Sequence, residues 1–207
     1  NGLSKVVLHL LDCIGSLCSG ADGSTALHVA AGLSNSSDNV DDIYDKLFRS
    51  FSTLITKRDN NGFTVLHKWV EMGCKPVDDR AVDKGNLKIL LEYFFNNYGA
   101  EAAKLMLATD VKAGNNPLHL LVATSASTVS EPIAVEIATR LTLLFKEKTA
   151  SNLSQNHDRP WLMKNKNGDT PLLLAMRYKL EVLASCFLEH DPKDSLVASS
   201  EKENPDR

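Results

Sequence analysis

The sequence predicts an all-α fold, a solenoid of stacked helix-turn-helix hairpins with irregular, lengthened repeats. Three observations predict it. One pattern occurs four times, beginning at Gly23, Gly62, Gly114 and Gly168. Each copy is followed by a second apolar segment with helical spacing, as expected when every repeat must bury one face against its neighbours. Aromatic residues are only 6% of 207, which counts against a large all-β sandwich, while 43% apolar residues suffice for a packed core.

The elements follow in order. Leu3, Val6, Val7, Leu10, Leu11, Ile14 and Leu17 mark the second helix of a hairpin whose first half is missing, a half-repeat over residues 1–19. Four repeats then span about 20–58, 59–110, 111–164 and 165–190, with a polar tail at 191–207 that is expected to be disordered. Each copy opens a first helix at Leu27, Leu66, Leu118 or Leu172. Second helices are marked by Ile43, Leu47, Phe51, Leu54 and Ile55, then by Leu87 to Phe95, Ile133 to Phe145 and Leu180 to Leu188. A short extra helix covers Ala102 to Leu107, behind Gly99. Stretches rich in Ser, Asn, Asp and Pro at 34–42, 74–85, 125–131 and 149–160 are expected to be loops.

Within a copy each residue type has a physical reason. The glycine takes the positive φ of a tight turn, which a Cβ would penalise. The Thr hydroxyl (Thr25, Thr64, Thr170) is placed to accept from helix-start N–H groups, and Pro117 and Pro171 lose only an orphan donor there. His28, His67 and His119 lie beside the turn, where their ring nitrogens can bond loop backbone. Their recurrence favours a fold role over a row of bases or ligands, because a catalytic group is needed once.

The run Gly-Ser-Thr-Ala-Leu-His at 23–28, with its three counterparts, resembles the ankyrin repeat, over about residues 3–190. The resemblance implies a curved stack whose inner helices and loop fingers form a concave face. The sequence departs from the family in spacing: Leu27, Leu66, Leu118 and Leu172 are 39, 52 and 54 residues apart, against about 33 in the family. Trp69 and Leu121 stand where the family places a small Ala, so the middle inner helices are expected to sit further apart.

Other chemistries fit poorly. Net charge −3 disfavours a nucleic-acid partner, and no stretch has the ~18 apolar residues of a membrane span. His9/Cys13 and Cys186/His190 have helical spacing but sit at opposite ends of the stack, so four zinc ligands do not converge. Asp38, Asp41, Asp42 and Asp45 lack the ligand alternation of a calcium loop. His67 with Cys74 has the composition of a base–nucleophile pair and nothing more, and phosphate loops and serine elbows are absent. No enzyme, metal or cofactor is expected.

A protein partner is what the resemblance implies. Carried over by position, its contacts are Asp22, Ser24 and Leu33 in the first copy, and Asn60, Asn61, Phe63, Glu71 and Met72 in the second. The third offers Lys112, Asn115, Ala123 and Thr124, the fourth Lys166, Asn167, Asp169, Arg177 and Tyr178. Phe63 is expected as an exposed ring at a finger tip, an interface anchor unless it folds back on an inserted loop. These tips run from acidic to basic, which would steer a partner with an acidic segment toward the C-terminal half.

Residues 6–11 after Lys5 mimic a signal peptide, but His9 and Asp12 break the run, and no signal sequence is expected. Four cysteines without a framework read as reduced thiols in an intracellular protein. The start at Asn1, in mid-repeat, suggests a piece of something longer, with the targeting domain of a larger enzyme or effector as the alternative role. A third possibility is an active site in the inserts, at Cys74 or His157. In style the long repeats are similar to ankyrin effectors that intracellular bacteria secrete into the host cell, which would make the partner a host protein.

Overall fold

The structure, a computed structural model, describes residues 20–31, 48–49, 52–73, 84–128, 131–149 and 159–190, with the side chains of 84–90 outside the description. The N-terminal half-repeat, the stretch 34–42, Cys74, His157 and the tail lie outside the described residues.

All regular structure among the described residues is helical. We number the helices α1 (Ala26–Ala31), α2 (Val65–Gly73), α3 (Lys84–Asn97), α4 (Gly99–Leu107), α5 (Pro117–Thr128), α6 (Glu131–Thr149), α7 (Pro171–Arg177) and α8 (Glu181–His190). A 3₁₀ turn at Ser52–Leu54 precedes the second copy. The four helices opened by the repeated pattern touch in chain order, α1 on α2, α2 on α5, α5 on α7. Their followers make a second row, α3 on α6 and α6 on α8, with α4 wedged among α2, α3, α5 and α6.

The two rows bury their apolar stripes against each other. Leu27, Leu66, Leu118 and Leu172, the repeated leucines, are all at most 1% exposed. Full burial of such a side chain is worth about 1.5–3 kcal/mol. Trp69 is accommodated by an aromatic cluster: its ring meets Phe94 edge-on at 5.2 Å and Phe48 at 5.9 Å. Further along, Phe145 and Trp161 meet perpendicularly at 5.9 Å.

Helix α6 holds both ends of α8. Its Glu131 Oε1 accepts from the N–H groups of Val182 at 2.9 Å and Leu183 at 3.0 Å, in the first turn of α8. Lys146 Nζ donates to the carbonyl of His190 at 2.6 Å, in the last. The carboxylate thus meets the positive end of the α8 dipole and the ammonium the negative end.

The predicted loops give way to helix at 84–85, 131 and 149, and furthest at 125–128. Residues 125–128 of the stretch 125–131 complete α5. Ser125 is fully buried, and the Ser127 hydroxyl donates to the carbonyl of Thr124 at 2.8 Å. Ser and Thr can bond back into the preceding turn as readily as they can end a helix, and here they do the former. The extra helix starts at Gly99, ahead of the expected Ala102.

Candidate partner-binding face

The four glycine turns are built alike. Gly23, Gly62, Gly114 and Gly168 have φ of 76°, 80°, 70° and 77°, the left-handed region that a side chain disfavours. In each finger one backbone N–H donates across the turn: Gly20 to Ser24 O at 2.8 Å, and Asp59 to Phe63, Asp110 to Asn115 and Asn165 to Asp169, each at 2.9 Å.

In three fingers a side chain seals the turn from inside. Asp59 Oδ1 accepts from Asn61 N–H at 2.8 Å and Phe63 N–H at 2.9 Å. Asp110 accepts from Ala113 at 2.6 Å, Gly114 at 3.2 Å and Asn115 at 3.1 Å, and Asn165 Oδ1 accepts from both Asn167 and Asp169 at 3.0 Å. These anchors were missed in the sequence. Their signal is an Asp or Asn three residues before the turn glycine at 59 and 165, displaced by one at 110 because that finger is a residue longer. In the first finger Asp22 does a similar job nearer the tip, accepting from Ser24 N–H at 3.0 Å and Ser24 Oγ at 2.8 Å. The Ser24 backbone bond, chiefly, holds the Asp22 carboxyl below its usual pKa.

Successive fingers are tied by backbone. Asn60 N–H donates to Asp22 O at 2.9 Å, Val111 N–H to Asn61 O at 2.8 Å, and Lys166 N–H to Ala113 O at 2.9 Å. Each histidine adds a second tie. His28 Nε2 donates to Phe63 O at 2.9 Å, while its Nδ1 accepts from Thr25 N–H at 3.2 Å and faces Thr25 Oγ1 at 2.8 Å. His67 repeats this with Thr64 on one side and Asn115 O at 3.2 Å on the other. His119 Nε2 lies 2.8 Å from Asp169 O and its Nδ1 2.8 Å from Asn116 Oδ1. The ring nitrogens are committed to the fold. Burial pushes the pKa of His67 and of His119 down from 6.5 to about 4, and that of His28 down as well.

The Thr role divides accordingly. Thr25 and Thr64 turn their hydroxyls to the histidine ring. Only in the fourth copy, where Leu173 replaces His, does Thr170 cap the helix, accepting from Leu173 N–H at 3.2 Å.

Of the residues expected to meet a partner, Asp22, Asn60, Asn61, Lys112, Lys166, Asn167, Arg177 and Tyr178 are exposed, and Ser24, Glu71, Met72 and Ala123 half-buried. Leu33 lies outside the described residues.

Two of the expected contact residues are buried, and two more are half-buried and engaged within the chain. Thr124 is buried inside α5, and the Asp169 carboxylate, in a residue 1% exposed, lies under Arg177 Nη2 at 2.9 Å. Asn115 spends its amide oxygen on Asn165 Nδ2 at 2.9 Å. Phe63 is not a bare ring: it stacks on His67 at 5.4 Å and 2°, with Lys68 Nζ 4.8 Å above it. It folds back on its own helix start rather than on an insert.

Elsewhere, Cys186 is buried with its Sγ 3.3 Å from Thr139 Oγ1, and burial pushes its thiol pKa up. A buried, protonated thiol is inert. His9/Cys13 and the Asp38 to Asp45 cluster lie outside the described residues. Among the described residues no group of three or more His, Cys, Asp or Glu is placed to hold a metal, and no helix is long and apolar enough to cross a membrane.

No protein-family model matches the chain, and no curated protein does.

Proposed function

We infer that the chain is an ankyrin-type solenoid and works as a protein–protein interaction module, binding a partner protein on the face made by its fingers and inner helices. The observation that carries this reading is the finger ladder. Three backbone hydrogen bonds, from Asn60, Val111 and Lys166, join four glycine turns spaced 39, 52 and 54 residues apart in sequence into one row. Such spacing has no reason to yield neighbouring turns unless the repeats stack and the excess length is expelled elsewhere. The mechanism is rigid presentation. Buried carboxylates and neutral histidines fix the fingers before a partner arrives, so little ordering entropy is lost on binding.

The test is capture of a partner by the intact chain and by two variants. Met176→Ala with Tyr178→Ala removes exposed apolar surface at the end of α7, 58% and 49% exposed. Leu143→Ala removes it from α6, in the other row, 48% exposed. A partner retained by the Leu143 variant and weakened about tenfold or more by the double variant is expected, since interface anchors are worth about 1–2 kcal/mol each or more. Loss from the Leu143 variant alone would move the contact to the outer helices and overturn the reading.

A further inference from the structure

Exposed charge on the third and fourth fingers and at the end of α7 is predominantly basic. Lys112, Lys164, Lys166, Arg177 and Lys179 are all exposed. Of the described carboxylates there, Asp110 is turned inward onto three finger N–H groups and Asp169 lies beneath Arg177, while Glu181, two residues past Lys179, is exposed. The fourth finger goes further. It uses Asn165 where the second uses Asp59, keeping the acceptor and dispensing with its negative charge. At the other end of the row Asp22 is exposed, and Glu71 is half-buried and paired with Lys68 at 3.5 Å.

Several of these cations are already fixed. Lys166 Nζ donates to Val111 O, and Arg177 is held by Asp169. Arg58 Nη1 donates to Thr109 O at 3.0 Å, adding a cation at the base of the third finger. Lys179 has φ 58°, in the left-handed region that glycine adopts at less cost. Exposed apolar side chains stand among them in sequence, Val111 at 61%, Met176 at 58% and Tyr178 at 49%.

We propose that this part of the face binds an extended acidic segment of a partner protein, Asp- and Glu-rich with interspersed apolar residues, rather than a polynucleotide. The proposal rests on the interaction role inferred above and names the partner chemistry. Carboxylates on a flexible chain match separated, pre-placed cations, and apolar side chains match Val111, Met176 and Tyr178. A uniform phosphate backbone would leave those apolar groups unmatched.

The test measures fluorescence anisotropy of a labelled glutamate-rich dodecapeptide carrying two leucines, titrated with the full chain at low ionic strength. Lys112→Glu with Lys166→Glu is expected to weaken binding about tenfold or more, mostly through slower association. Lys104→Glu with Lys148→Glu, the same charge change on α4 and α6 rather than on the fingers, should leave it within about twofold. Lys112→Gln with Lys166→Gln gives an intermediate loss, and circular dichroism of each variant checks that the fold is kept. Tyr178→Ala weakens the leucine-bearing peptide and spares an all-glutamate one. Absence of binding by the unsubstituted chain, equal loss in both double reversals, or tighter binding of an oligothymidylate of equal charge would overturn the proposal. A partner whose capture depends on Met176 and Tyr178 but ignores Lys112 and Lys166 would remove the acidic preference while leaving the interaction role standing.

Discussion

At the scale of single residues, the turn glycines are not equivalent. A Cβ on Gly62 would stand 2.8 Å from Val111 N and 2.9 Å from Val111 Cγ2, against the backbone of the next finger. A Cβ on Gly168 would meet nothing within 4 Å. Both take positive φ, so alanine at either costs about 1–2 kcal/mol from the left-handed conformation alone. Gly62→Ala must in addition push away the Val111 N–H that bonds Asn61 O, and loses on the order of 1–2 kcal/mol more. Urea unfolding of the two variants should therefore differ, Gly62→Ala being the less stable. Equal losses would mean that the second and third fingers are not in contact. The glycines and histidines of these turns were legible because they recur and because their chemistry is local. Phe63 was misread because its neighbours on the finger, His67 and Lys68, offer a ring and a cation one helical turn away, and stacking there covers an apolar face without any insert.

Beyond packing and the backbone ladder, elements are coupled through the histidines, each joining one helix start to the carbonyl of the following finger. This makes their cohesion pH-dependent with a definite sign. His67 and His119 have folded pKa values of about 4 against 6.5 unfolded, because burial disfavours the imidazolium. Above pH 6.5 both states hold neutral rings and nothing is lost. As pH falls from 6.5 toward 4 the unfolded chain takes up protons that the folded chain refuses, and stability drops. At about 1.4 kcal/mol per pKa unit the loss is a few kcal/mol for each ring, a large share of the roughly 5–15 kcal/mol that stabilises a domain. The urea midpoint should accordingly decline steadily from pH 7 downward, before the carboxylates begin to titrate. A midpoint unchanged to pH 5 would contradict neutral, buried rings. At this scale the sequence marked helices by apolar period, but their ends depend on partners distant in the chain. Glu131 reaches α8 across 51 residues, which no local pattern records. The extension of α5 through Thr128 was hidden by Ser and Thr, which serve loops and helices alike.

For the whole molecule, two rows of helices and one row of fingers follow from repeated short-range rules applied to very uneven spacing. The order of the repeats was readable because each copy carries its own turn. The internal seals at Asp59, Asp110 and Asn165 were not read, since their offset from the glycine varies by one residue. The availability of the face was only half readable. Thr124 and Asp169 were expected as partner contacts, yet packing in α5 and the ion pair with Arg177 bury them. What stays exposed is a ridge of finger tips and α7-end residues whose charge turns from acidic to basic along the stack. Backbone hydrogen exchange, read by mass spectrometry on the full chain with and without a captured partner, tests the central claim most directly. The account predicts slowed exchange at the finger tips around Asn60, Lys112 and Asn167 and at the end of α7. Protection confined to α3, α4, α6 or α8, with the fingers unchanged, would contradict it.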